Sequence, residues 1–439
     1  MTWPGRPAAD WLSVDEARAR VLALVAPLPH EEIPLAHALG RALAAPVAAR
    51  ATLPPWDNSA MDGYALRGAD VAGAGPTSPV ELAVVGEARA GVAWPGTIRS
   101  GQAVRIMTGG PIPEGADSVV RVEDTDRETE PGRVRVRSDR DRGRNVRPGG
   151  QDMRAGDPLL DAGDPLTPGA LGLLAAAGRA TVPAHRRPRL GVLTSGDELR
   201  GPDGFADVAA GRGIPDSNGP MLMAAAAEVG AEPVMLGPVA DRVEAVRERV
   251  EQARAGELDL LITVGGASMG GTDLFRDVLT GLGVAFDFWL VRVRPGSPFS
   301  AARLPREGGR AAPLPVLGLP GNPASAFVTF HLFVRPALLR LAGHRDVDLP
   351  VVPARAGEIL AGGGDLTHFL RVRLDQAGDG LVARATGPQG SGLVRGRARA
   401  DGLAIVPRGV DAIPAGSVVS VVLLRLPPAG APAAEPATG

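Results

Sequence analysis

Hydrophobic positions change their spacing several times along this chain. At the start, "LSVDEARARVLALVAPL" sets apolar residues at helical intervals behind a Ser13-x-x-Glu16 capping box, which predicts a helix. From about Pro54 to Arg147 the text turns into short β-type runs between Gly-Pro turns, such as "VELAVVGEARAG" and "GQAVRIMTGGPIPEGADSVVRVED", and predicts a separate β-rich module. Its arginine-dense end, "RVRVRSDRDRGRNVRPGG", reads as a solvated strand and turn before it reads as an anion site. The stretch "LPPWDNSAMDGYALRGAD" has neither period. Its prolines fix φ, and its Asn, Ser, Asp and Gly favour turns, so a shaped loop holding the only tyrosine, Tyr64, is expected. A site loop and an ordered connector explain it equally well.

After "LTPGALGLLAAAG" the pattern becomes regular α/β. "RLGVLTSGDEL" is a buried strand entering a Ser-Gly-Asp-Glu loop, and "SNGPMLMAAAAEVG" is a helix. "AEPVMLGPV" is a strand, and "DRVEAVRERVEQARAG" is an amphipathic helix with an Asp241-x-x-Glu244 cap. "DLLITVGGASMGG" is a buried strand opening into a glycine-rich loop, and "LPVLGLPGNPASAFVTFHLFVRPALLRLAG" is a strand, a turn and a long helix. This alternation predicts a doubly wound parallel sheet over residues 186–345, with ligands beyond the carboxyl ends of its strands. From about Pro350 the chain is β-type again, with a tight turn at Gly378-Asp379-Gly380, and a small barrel or sandwich is expected.

Composition narrows the chemistry. At 439 residues the chain is too long for one core, and roughly three domains are expected. All 47 basic residues are arginine, so Schiff-base lysines and a P-loop lysine are excluded. With no cysteine, thiolate nucleophiles and zinc–thiolate sites are excluded too. A net charge of −2 gives no electrostatic case for nucleic acid or an acidic membrane. The six scattered histidines lack the i, i+4 spacing of a helical metal pair. The N-terminal stretch has no signal-peptide pattern and no apolar run reaches membrane-spanning length, so a cytoplasmic protein is expected.

Two loops carry the candidate chemistry: Thr194-Ser195-Gly196-Asp197-Glu198 and the run from Gly265 to Asp273, which includes Gly266 and Ser268. Glycine-rich turns at strand ends turn backbone N–H groups toward an anion, although neither run fits a dinucleotide or P-loop signature. Carboxylates beside a phosphate normally hold Mg²⁺ between them, so a metal-bridged polyphosphate or oxyanion is the sharper reading. Each acid also has a plain explanation: Asp241 as a helix cap, Asp273 as an acid favouring a helix dipole, Glu198 as a surface carboxylate. Their convergence on successive strand ends is what points to a site.

"LPPWDNSAMDGYAL", "GEARAG", "VRIMTGGPIPEGADSVVRVED", "GRNVRPGGQDMRAGD", "GVLTSGDEL", "IPDSNGPML", "TVGGASMGGTD", "VRPGSPF", "GLPGNPASA" and "GPQGSG" resemble, in order, the motifs of the MoeA family of molybdopterin molybdenumtransferases, related to the gephyrin E domain. The resemblance spans essentially the whole chain. It implies an α/β multidomain protein: residues 1–53 and 148–185 as an elongated N-terminal domain, 54–147 as a β-rich insert, 186–345 as a MogA-like molybdopterin-binding α/β domain, and 346–427 as a C-terminal β-barrel. A disordered tail over 428–439 completes the scheme. It further implies insertion of molybdenum from molybdate into adenylylated molybdopterin with release of AMP, helped by Mg²⁺ or another divalent cation. A homodimer with the pocket at the subunit interface is implied, with MogA-type and molybdoenzyme apoprotein partners.

Carried over position by position, the resemblance gives Asp62, Glu198, Asp241 and Asp273 as catalytic acids, the last two also as metal ligands. Thr108, Asp152, Ser195, Gly196, Gly266, Ser268, Arg294, Pro320, Pro323, Arg371 and Ser391 are implied in substrate binding. Around the Pro-Gly-x-Pro motif, family members commonly carry lysines where this chain has Leu290, Arg294 and Ser297. Arg294 keeps a cation and Arg292 stands nearby, whereas Leu290 and Ser297 carry none. The alternative to the transferase is therefore a non-catalytic carrier of the cofactor or a diverged paralogue.

Overall fold

The computed structural model describes residues 11–265, 274–306, 312–378 and 380–426. Helix α1, Val14–Ala23, starts at the expected box: Ser13 Oγ accepts from the Glu16 N–H at 3.2 Å, and Ser13 N–H donates to Glu16 Oε2 at 2.8 Å. Helix α1 buries Ala17 and Val21 in the core of the α/β layer, beside Leu222, Phe333 and Leu338. Backbone bonds from Leu12 to Leu290 and from Leu28 to Leu341 fasten the segment there at both ends.

Beyond α1, two distant stretches zip together. His30–Pro34 pairs antiparallel with Thr181–His185, Val47–Ala48 with Pro158–Leu160, and Asn58–Ser59 with Val146–Arg147. Successive antiparallel pairs in that order make a long ribbon. Its small core joins Ile33, Leu43 and Val47 to Leu166 and to Leu174 of α2, Pro168–Ala176, which Thr167 caps.

The chain between the ribbon's halves forms a five-stranded sheet of β1 (Gly63–Leu66), β2 (Val80–Ala88), β3 (Gln102–Ile106), β4 (Ser118–Arg121) and β5 (Arg133–Val136). The spatial order is β4-β1-β3-β2-β5. The loop expected around Tyr64 is corrected here, because residues 63–66 are an interior strand and Tyr64 is core. All four residues of β1 are buried. A strand covered on both faces shows no alternation, and the turn-rich flanks hid it.

The α/β sheet uses β6 (Arg189–Thr194), β7 (Glu232–Met235), β8 (Leu260–Val264), β9 (Ala285–Phe288), β10 (Ser300–Leu304) and β11 (Leu314–Leu319), in the order β7-β6-β8-β11-β10-β9. The first four in that order are parallel, as expected, but β10 and β9 run antiparallel to their neighbours. The link from β10 to β11 is too short for a crossover helix, so the chain reverses. Alternate residues face two apolar layers, which is why these strands read as unbroken hydrophobic runs. Leu190, Ile262 and Leu317 meet α1, α3 (Asn218–Glu228) and the last helix, while Leu193, Leu261 and Val316 meet α4 (Val243–Ala255) and α5 (Leu274–Gly281).

The last helix is continuous from Pro323 to Leu341: α6 (Pro323–Thr329), a π segment (Phe330–Val334) and α7 (Arg335–Leu341). It is long and apolar enough to cross a membrane, contrary to the reading that no run has that length, and most of it is buried in the α/β core. A closed barrel follows, formed by β12 (Val351–Ala356), β13 (Thr367–Ala377), β14 (Gly380–Ala385), β15 (Gly402–Val406) and β16 (Val418–Leu423). Closure comes from pairing of β13 with both β14 and β15. The short strand Val293–Arg294 from the α/β domain adds to β13 in parallel, tying the two domains together. The barrel turn at Asp379 and the tail 428–439 lie outside the described residues.

In the π segment, His331 stacks edge-on against Phe327 and Phe330, and its Nδ1 is buried without a partner. Burial, and then the nearby Arg335 charge, push its pKa down to about 4. The unfolded chain therefore binds a proton near pH 6.5 that the native state refuses until about pH 4. This contribution is full above pH 6.5 and is lost as pH falls through that window, amounting to roughly 2 kcal/mol by pH 5. Denaturant melts at pH 7.5 and pH 5 should show wild type losing more stability on acidification than His331→Phe. Equal losses would show that His331 does not govern the window.

Candidate active site

Three strand ends meet in a narrow crevice. Ser195, following β6, donates its N–H to Val264 O at 3.2 Å, and Gly196 donates to Val239 O at 3.2 Å. Gly265, following β8, has φ +105, and a Cβ on it would fall 2.8 Å from Ser195 O, so only glycine allows this approach. A Cβ on Gly321, just beyond β11, would lie 3.2 Å from Gly265 Cα. The start of α3 completes the wall. Asp216, buried, accepts from the N–H groups of Asn218 at 3.1 Å and Gly219 at 2.9 Å, capping the helix, while Asn218 Nδ2 donates to Gly321 O at 2.7 Å.

The barrel closes the crevice from the other side. Ser391 O accepts from Ala324 N at 2.9 Å, docking the 388–397 loop on the start of α6. Arg397 donates to Pro323 O at 3.3 Å and to Ser217 Oγ at 3.2 Å. Arg371 on β13 is 0% exposed. Its Nη2 reaches the carbonyls of Pro388 and Gly390 at 3.4 and 3.3 Å, while its Nε and Nη1 have no partner among the described residues. Burial lowers its pKa first and the Arg397 charge second, yet a guanidinium stays protonated in water. Ser195 Oγ and Asn218 Oδ1 are likewise buried without partners among the described residues. Buried polar groups normally find partners, so an orphaned hydroxyl, amide oxygen and guanidinium around these strand ends and the barrel loop make this the candidate site.

The residues expected in the site fall into two groups. Ser195, Gly196, Pro320, Pro323, Arg371 and Ser391 line or adjoin this crevice. Glu198 folds over Gly196, where a Cβ would stand 2.9 Å from both carboxylate oxygens, and its side chain is exposed. Asp241 is not the cap of α4: the helix starts after Arg242, which makes no side-chain cap, and Asp241 stands one residue too early. Its N–H instead donates to Asp197 Oδ1 at 3.1 Å, placing two acids at the rim. Asp62 and Thr108 belong to the insert, where Asp62 Oδ1 accepts from Thr108 N–H at 2.7 Å. That backbone bond, then the Thr108 hydroxyl, lowers the Asp62 pKa. Asp152 is exposed, with its N–H on Leu53 O at 3.0 Å, beside the interlocked 53–57 and 146–153 segments. No hydrogen bond joins Asp62, Thr108 or Asp152 to the crevice among the described residues.

Arg294 is exposed on the strand that joins the barrel, Leu290 is buried, and Ser297 turns its hydroxyl onto Val293 O at 2.6 Å. Arg292 pairs with Asp365. Gly266, Ser268 and Asp273 lie outside the described residues. Asp216, Ser217, Asn218 and Arg397 were not singled out, although Asp-Ser-Asn-Gly before a helix after a buried strand is a readable capping signal. Among the described residues no three histidines or carboxylates converge to hold a metal ion.

Comparison with known proteins matches this chain along nearly its whole length. "MoeA N-terminal region (domain I and II)" matches residues 12–178, "Probable molybdopterin binding domain" 191–340 and "MoeA C-terminal region (domain IV)" 353–424. A molybdopterin molybdenumtransferase of a Nostoc species is 36% identical over 97% of this chain and 96% of its own, and that of Bacillus subtilis is 33% identical over 94% of each. The crystal structure of a molybdopterin biosynthesis moeA protein from Pyrococcus horikoshii OT3 superposes with a TM-score of 0.79 at 26% identity, covering 94% of this chain and all of that one. With three successive domains matched and relatives aligned along nearly the full length, the chain belongs to the MoeA family.

Proposed function

We propose that this chain is a molybdopterin molybdenumtransferase, which takes adenylylated molybdopterin, releases AMP and places molybdenum from molybdate on the dithiolene. The orphaned polar atoms of the crevice, above all the unpaired guanidinium of Arg371, carry this reading, because they ask for an anionic, hydrogen-bonding ligand. The pterin and its pyrophosphate would lie across the ends of β6, β8 and β11, with Ser195 and Asn218 binding polar edges. Arg371 and Ser391 would take the oxyanion. Asp62, whose carboxylate accepts from the Thr108 N–H, suits a positioning role. Family transferases are the relatives this chain matches, so a carrier without chemistry is not favoured.

A divalent cation at Asp241 and Asp273 would neutralise the pyrophosphate when bound. The described residues do not supply a complete ligand set, so no step is assigned to it. Asp62 and Thr108 would complete the pocket of a second copy, making the working unit a cytoplasmic homodimer. MogA-type proteins and molybdoenzyme apoproteins are the partners this reading implies.

Turnover with adenylylated molybdopterin, molybdate and Mg²⁺, followed by AMP release, tests the reading. Wild type should release AMP in a molybdate-dependent way. Arg371→Met should lower kcat/KM for molybdate about 10- to 100-fold, the loss of one charge-assisted contact, while its melting temperature holds. Wild type that binds both substrates without turnover would establish the carrier instead. Light scattering at micromolar concentration should give a dimer, and a monomer would rule out a pocket completed by Asp62.

A further inference from the structure

Arg397 is assigned no role by its sequence pattern, yet it occupies the junction of three elements. One amino group reaches Pro323 O at the start of α6, the other reaches Ser217 Oγ at the start of α3, and its backbone belongs to the barrel loop that wraps Arg371. The next residue back, Gly396, packs against Thr386, where a Cβ would stand 2.8 Å from Oγ1, and it lies beside Arg371, whose Nε is 3.6 Å from the same point. Arg371 is wholly buried, and its Nε and Nη1 have no acceptor among the described residues. Neither arginine has a carboxylate within ion-pair distance among the described residues, although most arginines of this chain with resolved partners pair with acids.

Two guanidiniums sharing a desolvated wall without a counter-ion repel each other and forfeit hydration, a combination that persists when something else neutralises it. Around the Pro-Gly-x-Pro turn, Leu290 is buried and uncharged, the Ser297 hydroxyl is taken by Val293 O, and Arg292 is paired with Asp365. Arg294 on the same segment is exposed and keeps its charge, and Arg371 and Arg397 add theirs from the barrel side.

We propose that Arg397 is the second cation of an oxyanion grip with Arg371, holding a tetrahedral dianion between the 388–397 loop and the start of α6, and that it sets this chain's affinity for that anion. The identification of the dianion with molybdate rests on the transferase reading; the grip itself does not. A planar fork at each arginine can give paired N–H bonds to a tetrahedral oxyanion. Arg397 keeps its two protein contacts while its remaining N–H groups turn to the ligand.

Calorimetric titration of the full-length protein with molybdate, and separately with inorganic phosphate and AMP, tests this without turnover. Wild type should bind molybdate, Arg397→Met should weaken binding at least 10-fold, and Arg397→Lys should recover part of the loss. The double variant with Arg371→Met should lose less than the sum of the two single losses, because the pair acts on one ligand. Tighter binding of AMP than molybdate, with the same dependence on Arg397, would also support the grip while assigning it to a phosphate ester. Molybdate affinity unchanged in a folded Arg397→Met, or loss in Arg397→Lys equal to that in Arg397→Met, would overturn the proposal. If the grip binds molybdate but wild type releases no AMP, the transferase reading fails alone. If AMP is released and no variant at position 397 changes anion binding, the grip fails alone.

Discussion

A guanidinium buried without a counter-ion is the constraint around which this protein is arranged. Arg371 stands on a barrel strand, fully covered, and among the described residues its guanidinium has only the carbonyls of Pro388 and Gly390 as acceptors. Carbonyl dipoles offset part of the cost of taking a charge from water, and an unpaired buried charge costs several kcal/mol. The fold places that cost beside the ends of β6, β8 and β11, where Ser195 and Asn218 also leave polar atoms unsatisfied. A ligand that carries negative charge and acceptors for Arg371 and the Ser195 hydroxyl, together with an N–H or O–H for Asn218 Oδ1, settles all of them together.

Holding this arrangement requires that barrel and α/β domain behave as one body. Three connections do so: Val293–Arg294 extends the barrel sheet, Ala324 binds Ser391, and Arg397 bridges α3 and α6. The long helix from Pro323 to Leu341 anchors its own start through a mostly buried length, so the docking point of the barrel loop is fixed by the core. The insert is different in kind. It hangs on a paired ribbon, and its Asp62–Thr108 pair makes no hydrogen bond to the crevice of its own chain among the described residues.

Much of this was legible in the sequence because local physics and global fold agree there. The Ser13–Glu16 box starts its helix as written, and the buried strands announce themselves because both faces are apolar. The same double burial concealed β1, where Gly63, Tyr64 and Ala65 show no alternation among turn formers. Asp241 looked like a cap by spacing alone, but the backbone becomes helical only after Arg242. Antiparallel β9 and β10 depend on a short return that composition does not reveal. Arg397 was invisible for a stronger reason: it meets Ser217 across 180 positions of sequence, and no local pattern records such a meeting.

The most direct test of the crevice as an anion and pterin site is crystallographic. Crystals soaked in tungstate, a heavy analogue of molybdate, would be measured at the tungsten edge. An anomalous peak between Arg371, Ser391 and the start of α6 agrees with the site described here. A peak only at the exposed arginines of the insert, with ordered water around Arg371, contradicts it.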